Sequence, residues 1–170
     1  MSDKEFSKKK YIVGTYVDRQ INLVRGEGVF LFDEKGGKYL DLMSNYGVNI
    51  FGYNYSAVNA PLLEQMTLLP TLHGSFTNSK RSLASQMLVE RCGEKYCQVF
   101  WSNSGAEAIE SALKFAVLAT HKKRFIICKN GYHGKTLGAL SATSGEKYKK
   151  DFLPLLWEFV EIPFNDVSAL

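Results

Sequence analysis

Hydrophobic and polar positions follow one another in a regular order between residues 96 and 134. The apolar run Val99–Trp101 leads into a polar loop, Ser102–Ala106. A second apolar run, Phe125–Cys128, leads into another polar loop, Asn130–Gly134. The residues in between recur at the spacing of a helix: Ile109, Ala112, Leu113, Ala116, Val117 and Thr120. The pattern predicts two parallel strands joined by one helix in a right-handed crossover.

The two polar loops are expected to leave the same edge of one sheet. Continuously apolar strands are typical of a parallel sheet covered by helices on both faces, so the predicted fold class is α/β. Open sheets of this class bind ligands beyond the carboxyl ends of their strands. A binding site is therefore expected where the loops 102–106 and 130–134 meet.

The first loop has the residues of an anion site. Ser104 precedes the helical pattern and Glu107 follows three positions later, which is the signature of a capping box. Gly105 lets a ligand approach the backbone, and free amides at a helix start bind phosphate. An ordinary capped helix would carry the same residues. Tyr132 and His133 at the same edge favour a flat, phosphorylated ligand, although Tyr132 could also be a half-buried packing residue.

The rest of the chain divides into β-rich and helical stretches. From residue 22 to 43 the pattern predicts strands that include a hairpin with its turn at 35–38. A loop is expected over 44–55, then a helix from an N-cap at Ser56 to about Met66. A second helix is predicted over 79–91 and ends at Gly93. Residues 144–150 are expected to form a solvated surface segment.

Composition narrows the class of protein. The chain has 170 residues, of which 45% are hydrophobic and 22% charged, as in ordinary globular proteins. A net charge of +4, with its one basic cluster at Lys8–Lys10 in a frayed polar start, does not favour nucleic acid. No apolar stretch is long enough to span a membrane. Cys92, Cys97 and Cys128 lack metal-site spacing, and the last two are expected in core strands, so a reducing, cytoplasmic setting is predicted.

Three other chemistries fit the residues poorly. Gly134–Thr136 ends like a nucleotide-binding P-loop, but Lys129 stands where that motif needs its first glycine. Asn103–Gly105 is not the Gly-x-Ser-x-Gly elbow of a serine hydrolase. The histidines share no spacing suited to a metal: His73, His121 and His133.

Two of these motifs resemble those of one enzyme family. The run Asn103–Lys114 resembles the cofactor-phosphate motif of the class III aminotransferases, which are fold-type I enzymes that use pyridoxal 5'-phosphate (PLP). The run Gly131–Thr143 resembles the next motif of that family, in which an aromatic residue stacks on the pyridine ring. The resemblance extends from about Tyr11 to Leu170. Residues 1–55 resemble an N-terminal small-domain segment with a substrate loop, and residues 56–170 the first part of the PLP-binding large domain.

The resemblance implies roles for eight residues. Five are expected to bind the cofactor: Ser104, Gly105, Ala106, Tyr132 and His133, the last as a supporting partner. Three are expected to bind substrate: Lys135, Tyr46 and Gly47. Gly52–Tyr53 departs from the usual Gly-His pair at the end of the substrate loop.

The implied reaction moves a terminal amino group to 2-oxoglutarate in a homodimer. Lys135 replaces the arginine usual in acetylornithine enzymes and resembles the putrescine branch, while Pro163–Asp166 resembles the acetylornithine enzymes. Both an acetylornithine-like donor and a diamine donor therefore stay open.

The family's covalent lysine and its Asp-x-x-Gln segment have no counterpart in this sequence. The chain therefore resembles the N-terminal part of such an enzyme and is expected to be inactive alone. A non-catalytic fragment of this fold, or a binding or assembly protein, is the alternative.

Overall fold

A computed structural model of the protein describes residues 11–170, so the predicted polar start at 1–10 lies outside the described residues. The chain forms two compact units, Met1–Thr77 and Asn78–Leu170. The first contains an antiparallel sheet, and the second contains a parallel strand pair and helices. The predicted α/β class is confirmed. The expected division into residues 1–55 and 56–170 stays a prediction.

The first unit is built on a three-stranded antiparallel sheet of strands β1 (Leu23–Glu27), β2 (Phe30–Asp33) and β3 (Lys38–Leu40). Asp33 shapes the turn between β2 and β3. Its carboxylate accepts hydrogen bonds from the amides of Lys35 at 2.9 Å and Gly37 at 2.7 Å, and from the Tyr39 hydroxyl at 2.7 Å. The predicted hairpin is therefore confirmed, and one carboxylate accepts from two amides of its turn.

Two short helical elements complete this unit. The predicted loop contains a single turn, α1 (Ser44–Gly47), in which Asn45 and Tyr46 have left-handed backbone angles. The helix α2 spans Ser56–Leu68 and continues through Pro61. Its N-cap is Tyr55, which makes no side-chain capping bond, so the prediction of Ser56 as N-cap is wrong. Tyr55 has the extended backbone that a cap position requires, and Ser56 has already entered the helix.

Among the described residues, the two longest helices lie in the second unit. Helix α3 (Ser79–Cys92) is capped by Asn78, which accepts from the Arg81 amide at 3.0 Å, and ends at Gly93 with φ 89°. Helix α4 (Gly105–Thr120), strand β4 (Arg124–Cys128), helix α5 (Leu137–Ala142) and strand β5 (Glu158–Ile162) follow. Three short 3₁₀ turns lie at 146–148, 150–152 and 167–169.

The predicted strand at Val99–Trp101 does not form. A strand needs a neighbour for its backbone groups, and no segment within residues 11–170 pairs with this one. The parallel neighbour of β4 is β5 instead. Side chains hold the extended segment: the Trp101 Nε1 donates to Ser85 Oγ at 2.8 Å, and the Phe100 ring meets Phe115 edge-on at 5.2 Å.

The cysteine predictions depended on that strand. Cys97 is exposed, so its assignment to a core strand is wrong, because the segment before Val99 has no sheet to cover it. Cys128 lies half-buried in β4, as expected of a strand residue.

The core of the second unit lies around α5. Ala139 is 0% exposed, and Leu113 of α4 and Ile127 of β4 are buried as well. Thr143 and Ser144 directly after α5 are buried too. The prediction of a solvated segment over 144–150 is therefore wrong at its first residue, because the Ser144 hydroxyl accepts a hydrogen bond from a loop amide.

Within residues 11–170 there is no helix that combines the length and the apolar character needed to cross a membrane.

Replacement of Tyr39 by Phe should raise the pKa of Asp33. The hydrogen bond from Tyr39, together with the amide of Gly37, holds the pKa of this carboxyl below its ordinary value of 3.8. A lowered pKa stabilises the folded unit above pH 3.8, and the stabilisation is lost as the pH falls through the lowered value. Carboxyl NMR titration of the two proteins measures the difference, and Tyr96→Phe in the second unit serves as control. An unchanged Asp33 pKa in Tyr39→Phe would contradict the assignment.

Candidate active site

The start of helix α4 is closed by a capping box. The Ser104 Oγ accepts from the Glu107 amide at 3.2 Å. In return, the Glu107 carboxylate accepts from the amides of Asn103 at 2.6 Å and Ser104 at 3.2 Å. The predicted capping box is confirmed. It satisfies three amides around the loop from within the chain.

Two amides at this helix start stay vacant. The Gly105 and Ala106 N–H groups donate to no acceptor within the described part of the chain, residues 11–170. A Cβ atom built on Gly105 would meet no atom within 4 Å, so open space lies beside these donors. The Ser102 Oγ nearby along the chain is buried and also has no described partner. The helix dipole adds ~0.3–1 kcal/mol for an anion here. The donors fit a phosphate group.

The second loop packs directly on the first. Gly134 is buried, with φ 143°, and a Cβ built on it would lie 2.7 Å from the Ala106 Cβ and 3.0 Å from the Ala139 Cβ. Only a residue without a side chain fits so close an approach. The expectation that the two loops meet is confirmed, although the strand predicted before the first loop does not form.

Buried hydroxyl groups fix the backbone of the second loop. The His133 amide donates to Thr143 Oγ1 at 3.0 Å, and the Asn130 amide donates to Ser144 Oγ at 2.9 Å. The Ser144 amide donates in turn to the Gly131 carbonyl at 2.8 Å. The His133 imidazole lies against Gly131, where a Cβ would be 3.3 Å from Nε2.

Tyr132 presents its ring to solvent from this fixed backbone. It is 63% exposed, and the structure gives it no stacked or hydrogen-bonded partner among residues 11–170. The alternative interpretation of Tyr132 as a half-buried packing residue is therefore wrong. Lys135, three positions on, is also exposed.

Glu110 is a supporting residue that sequence reasoning missed. Its Oε1 accepts from the Gly138 amide at 2.9 Å and so ties the start of α5 to α4. A side chain at Gly138 would collide with this carboxylate. The available signal was an acidic residue set between the apolar positions Ile109 and Leu113 of an otherwise regular helical stripe.

The remaining predicted site residues, Tyr46 and Gly47, belong to the first unit. Tyr46 is 87% exposed with φ 59°, and Gly47 has φ 83°. Within residues 11–170 no group of His, Cys, Asp or Glu side chains is arranged to hold a metal ion.

Comparison with known proteins places this chain in a family. The family model described as aminotransferase class-III matches residues 13–170, which is nearly the whole chain. This chain belongs to the class-III aminotransferases.

Relatives in several organisms support the assignment. The class-III aminotransferase chain is 42% identical, over 151 residues, to a putative [LysW]-aminoadipate semialdehyde/glutamate semialdehyde transaminase of Pyrococcus furiosus, covering 89% of the chain and 41% of that relative. It is 40% identical, over 160 residues, to the acetylornithine aminotransferase of Bacillus cereus, covering 94% of this chain and 41% of that relative. The chain thus spans about two fifths of the length of these relatives.

Solved structures agree with the fold. An ornithine aminotransferase of Toxoplasma gondii, with partial occupancy of PLP at its active site, superposes with a TM-score of 0.85 at 27% identity, over 95% of this class-III chain and 39% of that one. The taurine:2-oxoglutarate aminotransferase of Bifidobacterium kashiwanohense, in complex with PLP and glutamate, gives a TM-score of 0.88 over 99% of this chain and 40% of that one. Its 21% identity supports the fold alone.

Gly134→Ala should destabilise this aminotransferase chain, whereas Gly105→Ala should not. The added methyl at 134 would press on Ala106 and Ala139, and overpacking of this kind costs ~1–3 kcal/mol. The same methyl at 105 meets open space. Urea denaturation of the three proteins measures the free energy of unfolding. Equal loss of stability in both variants would contradict the close packing of the two loops.

Proposed function

We propose that this chain forms the phosphate-binding and ring-stacking part of a PLP-dependent aminotransferase that acts on a terminal amino group. The observation that carries the proposal is the pair of vacant amides at Gly105 and Ala106, with the loop of Tyr132 packed against them. A ligand with a phosphate at one end and a flat ring at the other fits such a pair of loops, because the amides can bind the phosphate and Tyr132 can stack on the ring. The bound cofactor supplies an electron sink for amino transfer.

The cofactor residues have distinct tasks in this proposal. Ser104 fixes the helix start through the capping box, and Gly105 lets the phosphate reach the amides of 105 and 106. Tyr132 stacks on the ring, which contributes ~0.5–1.5 kcal/mol beyond the buried area. His133 supports the loop through the hydrogen bond that its backbone N–H donates to the Thr143 hydroxyl.

The substrate side rests on Lys135, Tyr46 and Gly47. A lysine beside the cofactor attracts a donor's carboxylate only as a point charge and leaves room for a diamine. The relatives that are named acetylornithine aminotransferases favour an acetylornithine-like donor, and Lys135 favours a diamine. We propose a terminal amino donor of one of these two kinds, with 2-oxoglutarate as acceptor.

Complete catalysis needs groups beyond this sequence. None of its lysines matches the position of the family's covalent lysine, and it contains no Asp-x-x-Gln segment for the pyridine nitrogen. We propose that these groups come from a polypeptide equivalent to the part of the relatives that this chain does not cover, in a cytoplasmic homodimer. By itself the chain would be inactive. A non-catalytic binding role is the outcome if no such assembly transfers amino groups.

Binding of PLP should depend on its phosphate and on two residues. Gly105→Ala should weaken PLP binding tenfold or more, because the added methyl would fill the open space beside the amides and keep the phosphate from one of them, and a hydrogen bond to a charged group is worth ~1.5–3 kcal/mol. Tyr132→Ala should weaken it about threefold to tenfold. Calorimetric titration with PLP, and with pyridoxal as the phosphate-free ligand, measures both effects.

Tyr96→Ala is the matched control for Tyr132, because Tyr96 is equally exposed, at 61%, and lies outside both loops. Binding of PLP no tighter than that of pyridoxal would refute the phosphate site. Equal loss in Tyr96→Ala and Tyr132→Ala would refute stacking.

Lys135→Arg should shift donor preference towards carboxylates. The guanidinium forms a bidentate pair with a carboxylate that an ammonium cannot form, so kcat/KM for acetylornithine relative to putrescine should rise about tenfold. The assay uses this chain co-expressed with the part of the Bacillus cereus acetylornithine aminotransferase that it does not cover, called here the complemented assembly. Lys114→Arg on α4 is the control. An unchanged ratio would exclude Lys135 from donor selection.

A further inference from the structure

One carboxylate joins the two ends of the loop that carries Tyr46 and Gly47. Asp41 follows strand β3, and its Oδ1 accepts from the amides of Met43 at 2.9 Å and Ser44 at 3.0 Å. Its Oδ2 accepts from the Tyr53 hydroxyl at 2.8 Å, twelve positions along the sequence. The start and the end of the loop therefore share a single acceptor group.

Tyr53 is itself held against strand β1. Its amide donates to the Gly28 carbonyl at 2.7 Å, and the Gly28 amide donates to its carbonyl at 3.0 Å. The ring lies on Gly26, where an added Cβ would be 2.8 Å from the Tyr53 Cβ. The Asn54 Nδ2 also donates to the Gly26 carbonyl at 2.6 Å. The hydroxyl thus reaches Asp41 from a fixed point on the sheet.

The loop between these two points has an unfavourable backbone. Ser44, Asn45 and Tyr46 have φ values of 47°, 49° and 59°, and Gly47 follows with 83°. Residues with a side chain avoid consecutive left-handed angles, because their Cβ crowds the following carbonyl oxygen. Such a turn requires support from outside itself, and the Asp41 carboxylate supplies it at Ser44, the first of these residues.

We propose that Asp41 and Tyr53 are positioning residues that act as one clamp and hold the Tyr46–Gly47 turn in the shape that meets the amino donor. The proposal rests on the proposed function, which gives this loop to the substrate. Tyr53 then replaces the histidine usual at this place with a longer donor that reaches across the loop. The hydrogen bond between Tyr53 and Asp41 also lowers the pKa of Asp41 and raises the pKa of Tyr53. Both shifts have the direction expected when a hydroxyl donates to a carboxylate, because the bond favours the ionised acid and the protonated phenol.

Hydrogen exchange of the 170-residue chain tests the clamp directly. In Tyr53→Phe, the amides of residues 43–52 should exchange about threefold to tenfold faster, as expected for one lost hydrogen bond. The amides of Met43 and Ser44 should also exchange faster, although the Asp41 carboxylate that accepts from them is unaltered in this variant. Tyr55→Phe is the matched control, because the structure gives the Tyr55 hydroxyl no partner among residues 11–170, and its ring stack on Phe51 at 5.6 Å is kept.

Two further comparisons separate a clamp from independent bonds. In Asp41→Ala the loop should exchange faster still, and adding Tyr53→Phe to it should have no further effect. An additive effect would show that the two residues act separately. The amides of strand β2 serve as the reference, and equal acceleration there would show that Tyr53 supports the whole unit. An additive effect in the double variant, or equal acceleration in strand β2, would overturn the proposal.

The complemented assembly tests the role towards substrate. Tyr53→Phe should raise KM for the amino donor about threefold or more, with kcat and PLP affinity within twofold of the unaltered assembly. An unchanged KM with a loosened loop would overturn the positioning role and leave the cofactor site intact. No PLP binding or transamination by the unaltered assembly would refute the proposed function, and the substrate role with it. The exchange result would still decide whether the clamp exists.

Discussion

The hydroxyl groups of three small buried residues at the end of α5 hold the second unit together. Ser141 accepts from the Leu156 amide at 3.1 Å, Thr143 from the His133 amide at 3.0 Å and Ser144 from the Asn130 amide at 2.9 Å. These hydrogen bonds are partly buried, and each contributes ~0.5–1.5 kcal/mol and fixes a stretch of loop to the core. The Tyr132 loop has its position because two of these hydroxyls sit behind it. The exposed position of Tyr132 is thus a consequence of polar groups in the interior.

Local interactions were the predictable part of this molecule. The capping box at Ser104 and Glu107 spans three positions, so the sequence alone predicted it, and the hairpin turn around Asp33 is equally local. The segment Val99–Trp101 was mispredicted because a strand exists only where another segment pairs with it. Burial of Ser144 escaped prediction for a related reason, since its hydroxyl serves an amide fourteen positions away. Long-range partners are not visible in a pattern of apolar residues.

Two glycines of the first unit are required by the packing of a single tyrosine. Gly26 lies in strand β1, and Gly28 follows directly after that strand. In the structure the ring of Tyr53 covers one of them and the backbone of Tyr53 pairs with the other. A Cβ added at Gly105 would meet no atom within 4 Å, and the same is true at turn glycines such as Gly36 and Gly93. Open space beside a glycine therefore does not by itself mark a ligand site, and the proposal for Gly105 rests on the amides of 105 and 106, which have no acceptor within residues 11–170.

The contact between Ala106 and Gly134 ties two separate sequence motifs to a single volume. A larger side chain at 106 would need space that the backbone of 134 already fills, and no smaller residue than glycine exists to make room. Homologues are therefore expected to change these positions jointly, with a shift of the loop backbone, or to change neither. Substitutions at the start of helix α4 and in the Tyr132 loop are therefore expected to be correlated, even though 27 residues lie between positions 106 and 134.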